Sequence, residues 1–337
     1  MDGIRVKSLS KSTSTSHHSA IYPHPFQHTH VSPGYTISTP ISCCGIGLHS
    51  GQYIHLKLLP APAGTGILFR RTDLNNAPIL ARYDHVIDTT LSTVIACPNN
   101  PQIKIATIEH LMSALAGNQI DNIIIECDGP ELPVLDGSAA KFDQLLQTAG
   151  RQTLLSIAST IKILEPVRVE YKDAFAELRP SVYKGLSLSL SIDFPASIIG
   201  QQQFSMQLTP QNFKKELANC RTFAFKDEID SLHKMGLAKG GSLDNAIVVE
   251  NNSILNPSGL RRRDEFVRHK MLDAIGDLSL VNSRIQGHFI GHKSGHTLNN
   301  MLLRKLMAKT ECWRYISRKT KSFDSITMIP NLQKQEA

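Results

Sequence analysis

The stretch "DEFVRHKMLDAIGD", residues 264–277, decides how this chain is to be read. As an α-helix it turns by ~100° per residue, so His269, Asp273 and Asp277, spaced i, i+4 and i+8, share one stripe, with Lys270 beside them. Val267, Met271, Ala274 and Leu278 make an opposite, apolar stripe. The segment therefore reads as an amphipathic helix whose polar face is either solvated or holds a metal-ligand pair. It is followed by a strand-like "RIQGHFIGH" (284–292) and a second helix, "SGHTLNNMLLRKLMAK" (294–309).

Working back along the chain, the same order recurs. "HLKLLPAPAGTGILFRRTDL" (55–74) reads as two strands joined by a Pro/Gly turn. "KIATIEHLMSALAG" (104–117) reads as a helix ending on a C′ glycine, Gly117. "DNIIIECDG" (121–129) is a buried strand, and "DGSAAKFDQLLQTAG" (136–150) is a helix N-capped by Ser138 and closed at Gly150. In the second half "VRVEYKDAFAELRP" and "GLSLSLSIDF" (167–194) alternate as strands ahead of the helix that opened the argument. Each half thus offers strands, a helix, a strand and a helix. The fold class expected is α+β, two similar α/β-sandwich domains packed together with a site between them and an insertion in each. The domains are 34–155 and 156–325, linked by "RQTLLSIAST", and segment 226–253 reads as an insertion with its own strand. Residues 1–33 form a disordered N-terminal extension and 326–337 a C-terminal tail.

The chain has 337 residues and a net charge of +7, with pI near 9.1, which suits an anionic partner without choosing one. No apolar run of about 18 residues is present, so no transmembrane segment is expected. The six cysteines form no C-x-x-C pair, so reduced thiols are the default and Cys127 reads as a small buried hydrophobe. Residues 1–33 are rich in Ser, Thr and His and carry one acid, Asp2, and no apolar core of a secretory signal. There is no G-x-G-x-x-G after a strand and no P-loop motif.

If the two halves pack on each other, Glu109-His110 on one helix can meet His269 and Asp273 on the other. Two imidazoles and one carboxylate are a ligand set for catalytic zinc, which leaves a further position for water. Glu109 diverges from His110 by ~100° and is placed as a base rather than a ligand. By itself "EH" is more simply a surface dipeptide. His296, in a Gly-rich turn, can act as a general acid kept protonated by Asp277, whereas His288 and His292 read as surface residues. Within "CRTFAF" (220–225), Thr222 can donate to a developing oxyanion, and Phe225 with Phe194 can stack on a nucleobase, although most Phe residues are core. "GLRRRDEF" (259–266) either contacts phosphate or is a solvated loop.

Eight segments, in order, carry a resemblance: "GIGLHSG" (45–51), "TIEHLMSAL" (107–115), "DNIIIE" (121–126), "PVLDGSA" (133–139), "RTFAF" (221–225), "GGSLDNAIVV" (240–249), "RHKMLDAIGDL" (268–278) and "HKSGHTLNN" (292–300). Together they resemble the UDP-3-O-acyl-N-acetylglucosamine deacetylases, zinc amidases that carry out the committed step of lipid A biosynthesis in Gram-negative bacteria. The resemblance covers about residues 34–325. It implies His110, His269 and Asp273 as ligands of one Zn2+ per chain, with Fe2+ as the alternative ion. It implies Glu109 as general base, His296 as acid oriented by Asp277, and Thr222 as donor to the carbonyl oxygen. Lys270 would contact the diphosphate, Phe223 the sugar, and Phe194 with Phe225 the uracil. The insertion at 224–251 would pass the acyl chain.

The implied partner is UDP-3-O-acyl-N-acetylglucosamine, with no nucleic acid, in a cytoplasmic monomer near the inner membrane; import into an organelle through residues 1–33 is the alternative. A rival of another class is a non-catalytic polyanion binder using Arg261, Arg262 and Arg263, but no recognised nucleic-acid motif accompanies them. A fusion to an acyl-chain dehydratase does not fit in a chain of this length.

Overall fold

The strands at residues 123–127 and 284–292 organise the two sheets that carry the molecule. The protein is described by a computed structural model, in which residues 32–317 are described, so most of the N-terminal extension and the C-terminal tail lie outside the described residues.

In the first half a five-stranded sheet runs in the order Ile41–Ile46, Tyr53–Pro60, Ile123–Cys127, Ile67–Arg71, Ala77–Leu80. The two strands expected around the Pro/Gly turn both form, but they do not pair with each other. Ile123–Cys127 lies between them, antiparallel to Tyr53–Pro60 and parallel to Ile67–Arg71. A central strand flanked on both edges needs apolar side chains, which "IIIEC" supplies; Cys127 is fully buried, as expected of a small hydrophobe. Helices α1 (Glu109–Gly117) and α2 (Ala140–Ala149) pack against each other in this half. A three-stranded insertion, Val86–Asp88, Val94–Cys97 and Asn100–Ile105, lies against the edge strand Ala77–Leu80.

Two expected caps differ. Gly117 is the last residue of α1 rather than a left-handed cap, and Asn118 follows it as C-cap. A methyl group on Gly117 would lie 2.3 Å from the Phe213 ring, so close packing, not turn conformation, requires the glycine. Helix α2 begins at Ala140, and the Ser138 hydroxyl accepts the Ala140 N–H at 3.2 Å from one position before the N-cap.

The segment expected to be a linker is largely a strand. Arg151–Ile157 pairs antiparallel with Pro33–Ile37, because a stretch next to an unpaired strand edge satisfies its backbone there. The second sheet then begins at Thr160–Ile163. Its central strand, Arg284–His292, takes Ala174–Arg179 on one side. Its first three residues pair with Thr160–Ile163 and the rest, from Gly287, with Leu186–Asp193, both in parallel. Val167–Tyr171, Gln201–Gln207 and Trp313–Ser317 complete seven strands. A short turn, α3 (Pro210–Asn212), leads into a π-helical turn, Phe213–Leu217. Phe223–Phe225, α4 (Lys226–Lys234) and Ile247–Glu250 then form a β-α-β excursion with Ser253–Ile254 on its edge.

Helix α5 (Glu265–Ser279) has both expected stripes, but neither is solvated. Every residue from Glu265 to Leu278 except Lys270 is buried. Its apolar stripe faces the second sheet and its polar stripe faces α1, so neither side meets bulk water. Helix α6 (His296–Ala308) packs beside it. The mixed α+β class holds, with one principal sheet and two principal helices in each half.

Candidate active site and metal centre

Helices α1 and α5 cross where Gly276 meets Glu109. A methyl group on Gly276 would stand 2.2 Å from the Glu109 carbonyl oxygen, so the backbones touch at that point. The contact brings the start of α1 over the middle of α5. His110, His269 and Asp273 converge there, each buried and each offering one ligand atom, all within 4.8 Å of one another. The Nε2 atoms of His110 and His269 lie 3.6 and 3.4 Å from Asp273 Oδ1. That oxygen is buried without a hydrogen-bond partner. Three lone-pair atoms gathered within reach of one point, one of them an orphaned carboxylate oxygen, make an electron-rich group that suits a cation. This is the single such group among the described residues.

The surroundings prepare these groups. His269 Nδ1 donates to the Cys220 carbonyl at 3.1 Å, which leaves the lone pair on Nε2. Burial pushes the His269 imidazole down to about 4, keeping it neutral. Asp273 is held well below the usual carboxylate range: burial opposes this, but His269 and Lys270 outweigh it. Lys270 donates to Asp273 Oδ2 at 3.1 Å and its ammonium is raised, the carboxylate overcoming burial.

On the other side of the cluster stand Glu109 and His296. Burial raises the Glu109 carboxyl, the change a general base working near neutrality needs. Its Oε2 accepts the Thr93 backbone N–H at 3.0 Å, and Oε1 lies 3.9 Å from His296 Nε2. His296 opens α6, and its Nδ1 donates to Asp277 Oδ2 at 2.9 Å. Burial alone would lower that imidazole; the Asp277 charge and hydrogen bond push it up to about 9. Asp277 also accepts the Thr93 hydroxyl at 2.6 Å and the Asn299 side-chain amide at 2.8 Å.

The remaining candidates border this cluster. Thr222 lies two residues after the carbonyl that fixes His269, and its N–H donates to the Gly137 carbonyl at 2.8 Å. Phe223 is 6.4 Å from the His269 ring and 5.6 Å from Phe194, which is 5.8 Å from Phe225. The structure therefore gathers His110, His269, Asp273, Glu109, Lys270, Asp277 and His296, with Phe223, Phe194 and Phe225 in a row beside His269, while Thr222 is placed only through its backbone. His288 and His292 stay apart from it, each bonded through Nδ1 to a serine, Ser187 and Ser191, at 2.8 Å. Arg261 is bonded to Asp136 and Asn219, and Arg262 to the Lys215 carbonyl and Glu216, so two of the three clustered arginines are occupied in intramolecular contacts.

Thr93, Asn299 and Gly276 escaped the sequence reading. Thr93 sits in "LSTVIA" with no spacing that distinguishes it from a strand-entry hydroxyl. Asn299 lies in a quoted motif, three residues after His296, one helical turn away, and that spacing could have flagged it.

Comparison with known proteins identifies the family. The family model described as LpxC, UDP-3-O-acyl N-acetylglycosamine deacetylase, matches residues 34–308. A UDP-3-O-acyl-N-acetylglucosamine deacetylase of Acidithiobacillus ferrooxidans is 45% identical over 284 residues, covering 83% of this chain and 92% of that protein. One from Shewanella frigidimarina is 45% identical over 298 residues, covering 88% of this chain and 94% of its own length.

Proposed function

Because the chain belongs to the UDP-3-O-acyl-N-acetylglucosamine deacetylase family, we propose that the cluster at the crossing of α1 and α5 is where it removes the N-acetyl group of that substrate. The protein is a hydrolase of lipid A biosynthesis. It yields acetate and the free glucosamine amine. The observation that carries the site assignment is the buried His110, His269 and Asp273 triad, with the orphaned Asp273 oxygen at its centre and a raised carboxyl, Glu109, next to it.

The donor set fits a divalent ion, and Zn2+ is our assignment, with Fe2+ the alternative because both accept nitrogen and oxygen donors. Bound by these three residues, such an ion supplies Lewis acidity toward the amide carbonyl and a water. Glu109 takes the proton of the attacking water. Thr222 donates its hydroxyl to the carbonyl oxygen as charge develops on it. His296, held as imidazolium by Asp277, gives a proton to the departing nitrogen. Lys270 faces the substrate diphosphate, Phe223 the sugar, and Phe194 with Phe225 the uracil. The excursion at 224–251 borders the acyl chain; its Gly240 N–H donates to the Leu48 carbonyl at 3.0 Å, tying it to the "GIGLHSG" loop of the first half.

We assign domains 34–155 and 156–325, supported by the change of sheet between Ile157 and Thr160. A monomer in the bacterial cytoplasm near the inner membrane is our placement, supported by the family and by six free thiols. No helix among the described residues is long and apolar enough to cross a membrane.

The test is acetate release from UDP-3-O-acyl-N-acetylglucosamine by purified protein, before and after removing metal and restoring Zn2+. Activity lost with the metal and regained with zinc supports substrate and ion together. Folded protein that releases no acetate with any divalent ion overturns the reading.

A further inference from the structure

Thr93 touches both arms of the catalytic cluster although it belongs to neither helix. It immediately precedes the strand Val94–Cys97 in the first half's three-stranded insertion, and it is buried to 2% exposure. Its backbone N–H donates to Glu109 Oε2 at 3.0 Å and its hydroxyl donates to Asp277 Oδ1 at 2.6 Å. The same hydroxyl oxygen lies 3.2 Å from His296 Nδ1. A hydroxyl has one proton to give. The carboxylate can only accept, and His296 Nδ1 already donates to the other Asp277 oxygen at 2.9 Å. The Thr93 proton therefore goes to Asp277.

We propose that Thr93 is the positioning residue that sets Glu109 and His296 relative to one another, with its backbone on the first and its hydroxyl on the Asp277 carboxylate that holds the second. This inference rests on the functional reading above and deepens it. The Asp277 carboxylate has two oxygens and three donors: Thr93 on Oδ1, His296 and Asn299 on Oδ2. Without the Thr93 donor, Oδ1 loses its partner in a buried place and the carboxylate is free to rotate. Rotation would move the imidazole whose Nε2 now stands 3.9 Å from Glu109 Oε1. Catalytic groups misplaced by an ångström lose large factors in rate with little effect on binding. The arrangement also gives the insertion a purpose beyond filling space: it carries a threonine to the point where the two halves meet.

The test compares Thr93→Val, which has nearly the same shape without the hydroxyl, with Thr93→Ser, which keeps the hydroxyl. Steady-state acetate release is measured alongside metal content, and a double-mutant cycle is run with Asp277→Asn. Expected for Thr93→Val is a kcat lower by roughly ten- to a hundredfold, KM within about twofold of wild type, and full metal content. Thr93→Ser should recover most of the rate, and Thr93→Val should cost little further in the Asp277→Asn background. Wild-type kcat in Thr93→Val, equal loss in Thr93→Ser, or additive losses in the cycle would each overturn the proposal. If Thr93→Val does not fold, Thr93→Ala enters the same cycle, with the same outcomes deciding. Wild-type protein that releases no acetate overturns the functional reading and this inference with it, whereas an active wild type beside an equally active Thr93→Val overturns this inference alone.

Discussion

Gly276 on α5 lies against the carbonyl of Glu109 on α1, with no room between them for a single carbon. The contact fixes the distance between the two helices that supply the three metal-directed side chains. In an isolated helix, glycine to alanine stabilises by about 1 kcal/mol. Here the added methyl must push the helices apart or shift a backbone, an overpacking cost of about 1–3 kcal/mol. Gly276→Ala should therefore lower stability in urea denaturation despite its better helix propensity. It should also weaken metal retention, read by metal content after dialysis. A variant as stable and as metal-replete as wild type would show that the crossing tolerates a wider spacing.

Glu109 is buried beside the triad but is not among the atoms that converge on Asp273 Oδ1. Glu109→Gln keeps the shape and removes the base. Turnover should fall by about 10²–10⁴-fold while metal content stays at one ion per chain. Retained metal with lost rate separates a base from a ligand. Loss of metal in this variant would make Glu109 a ligand instead.

Much of this site could be read from the chain because side chains on one helix face carry their spacing with them. His269, Asp273 and Asp277 recur every four residues, and that period survives into the structure. The strands at 167–194 and 284–292 announced themselves by alternation and length. What the sequence withheld is tertiary. Nothing local says that Ile123–Cys127 separates two strands joined by a turn, or that Thr160–Ile163 and Leu186–Asp193 share one edge of Arg284–His292. The polar stripe of α5 could be read either as solvated or as a ligand pair, and only packing against α1 decides between them. Gly117 looked like a cap because the Phe213 ring that excludes its side chain comes from 96 positions later.

Removing the metal should be felt in stability as well as rate. Asp273 Oδ1 is buried and unpartnered, and two imidazole nitrogens face it. A ligand that binds only the folded state stabilises it by about 2.7 kcal/mol at a hundredfold excess over Kd. Chelation should thus lower Tm, and Zn2+ should restore it in wild type but not in His110→Ala or His269→Ala. Zinc that raised Tm equally in those variants would be binding elsewhere.

Lys270 and Phe225 border the cluster without converging on Asp273 Oδ1, and their substitutions should divide differently from that of Glu109. Lys270→Ala removes a partly buried ammonium that also donates to Asp273 Oδ2, so both KM and kcat should suffer. Phe225→Ala removes an aromatic face that is worth about 1–3 kcal/mol when a base stacks on it. KM for the UDP-sugar should rise roughly tenfold or more, with kcat nearly kept. An unchanged KM in Phe225→Ala would move the uracil site away from the Phe194 and Phe225 pair.

His296 gives the activity its alkaline boundary. Burial works against its charge, but the Asp277 carboxylate overcomes this and brings the imidazole up to about 9 from an ordinary 6.5. The proton donor is then present through neutrality and lost as pH rises through about 9, where kcat should decline. The same shift enters stability with a definite sign. The folded-state value is raised, so the contribution is full below about 6.5 and disappears as pH climbs through about 9. Asp277→Asn removes the largest charge holding the proton, leaving only Glu109 and Asp273 to oppose burial. The alkaline limb should move to lower pH by about a unit or more, and the extra stability between 6.5 and 9 should shrink. Profiles of kcat against pH and urea midpoints at pH 6 and pH 10 for both proteins check the two halves of the argument. A limb that stays in place in Asp277→Asn would mean that the ionisation governing turnover is not that of His296.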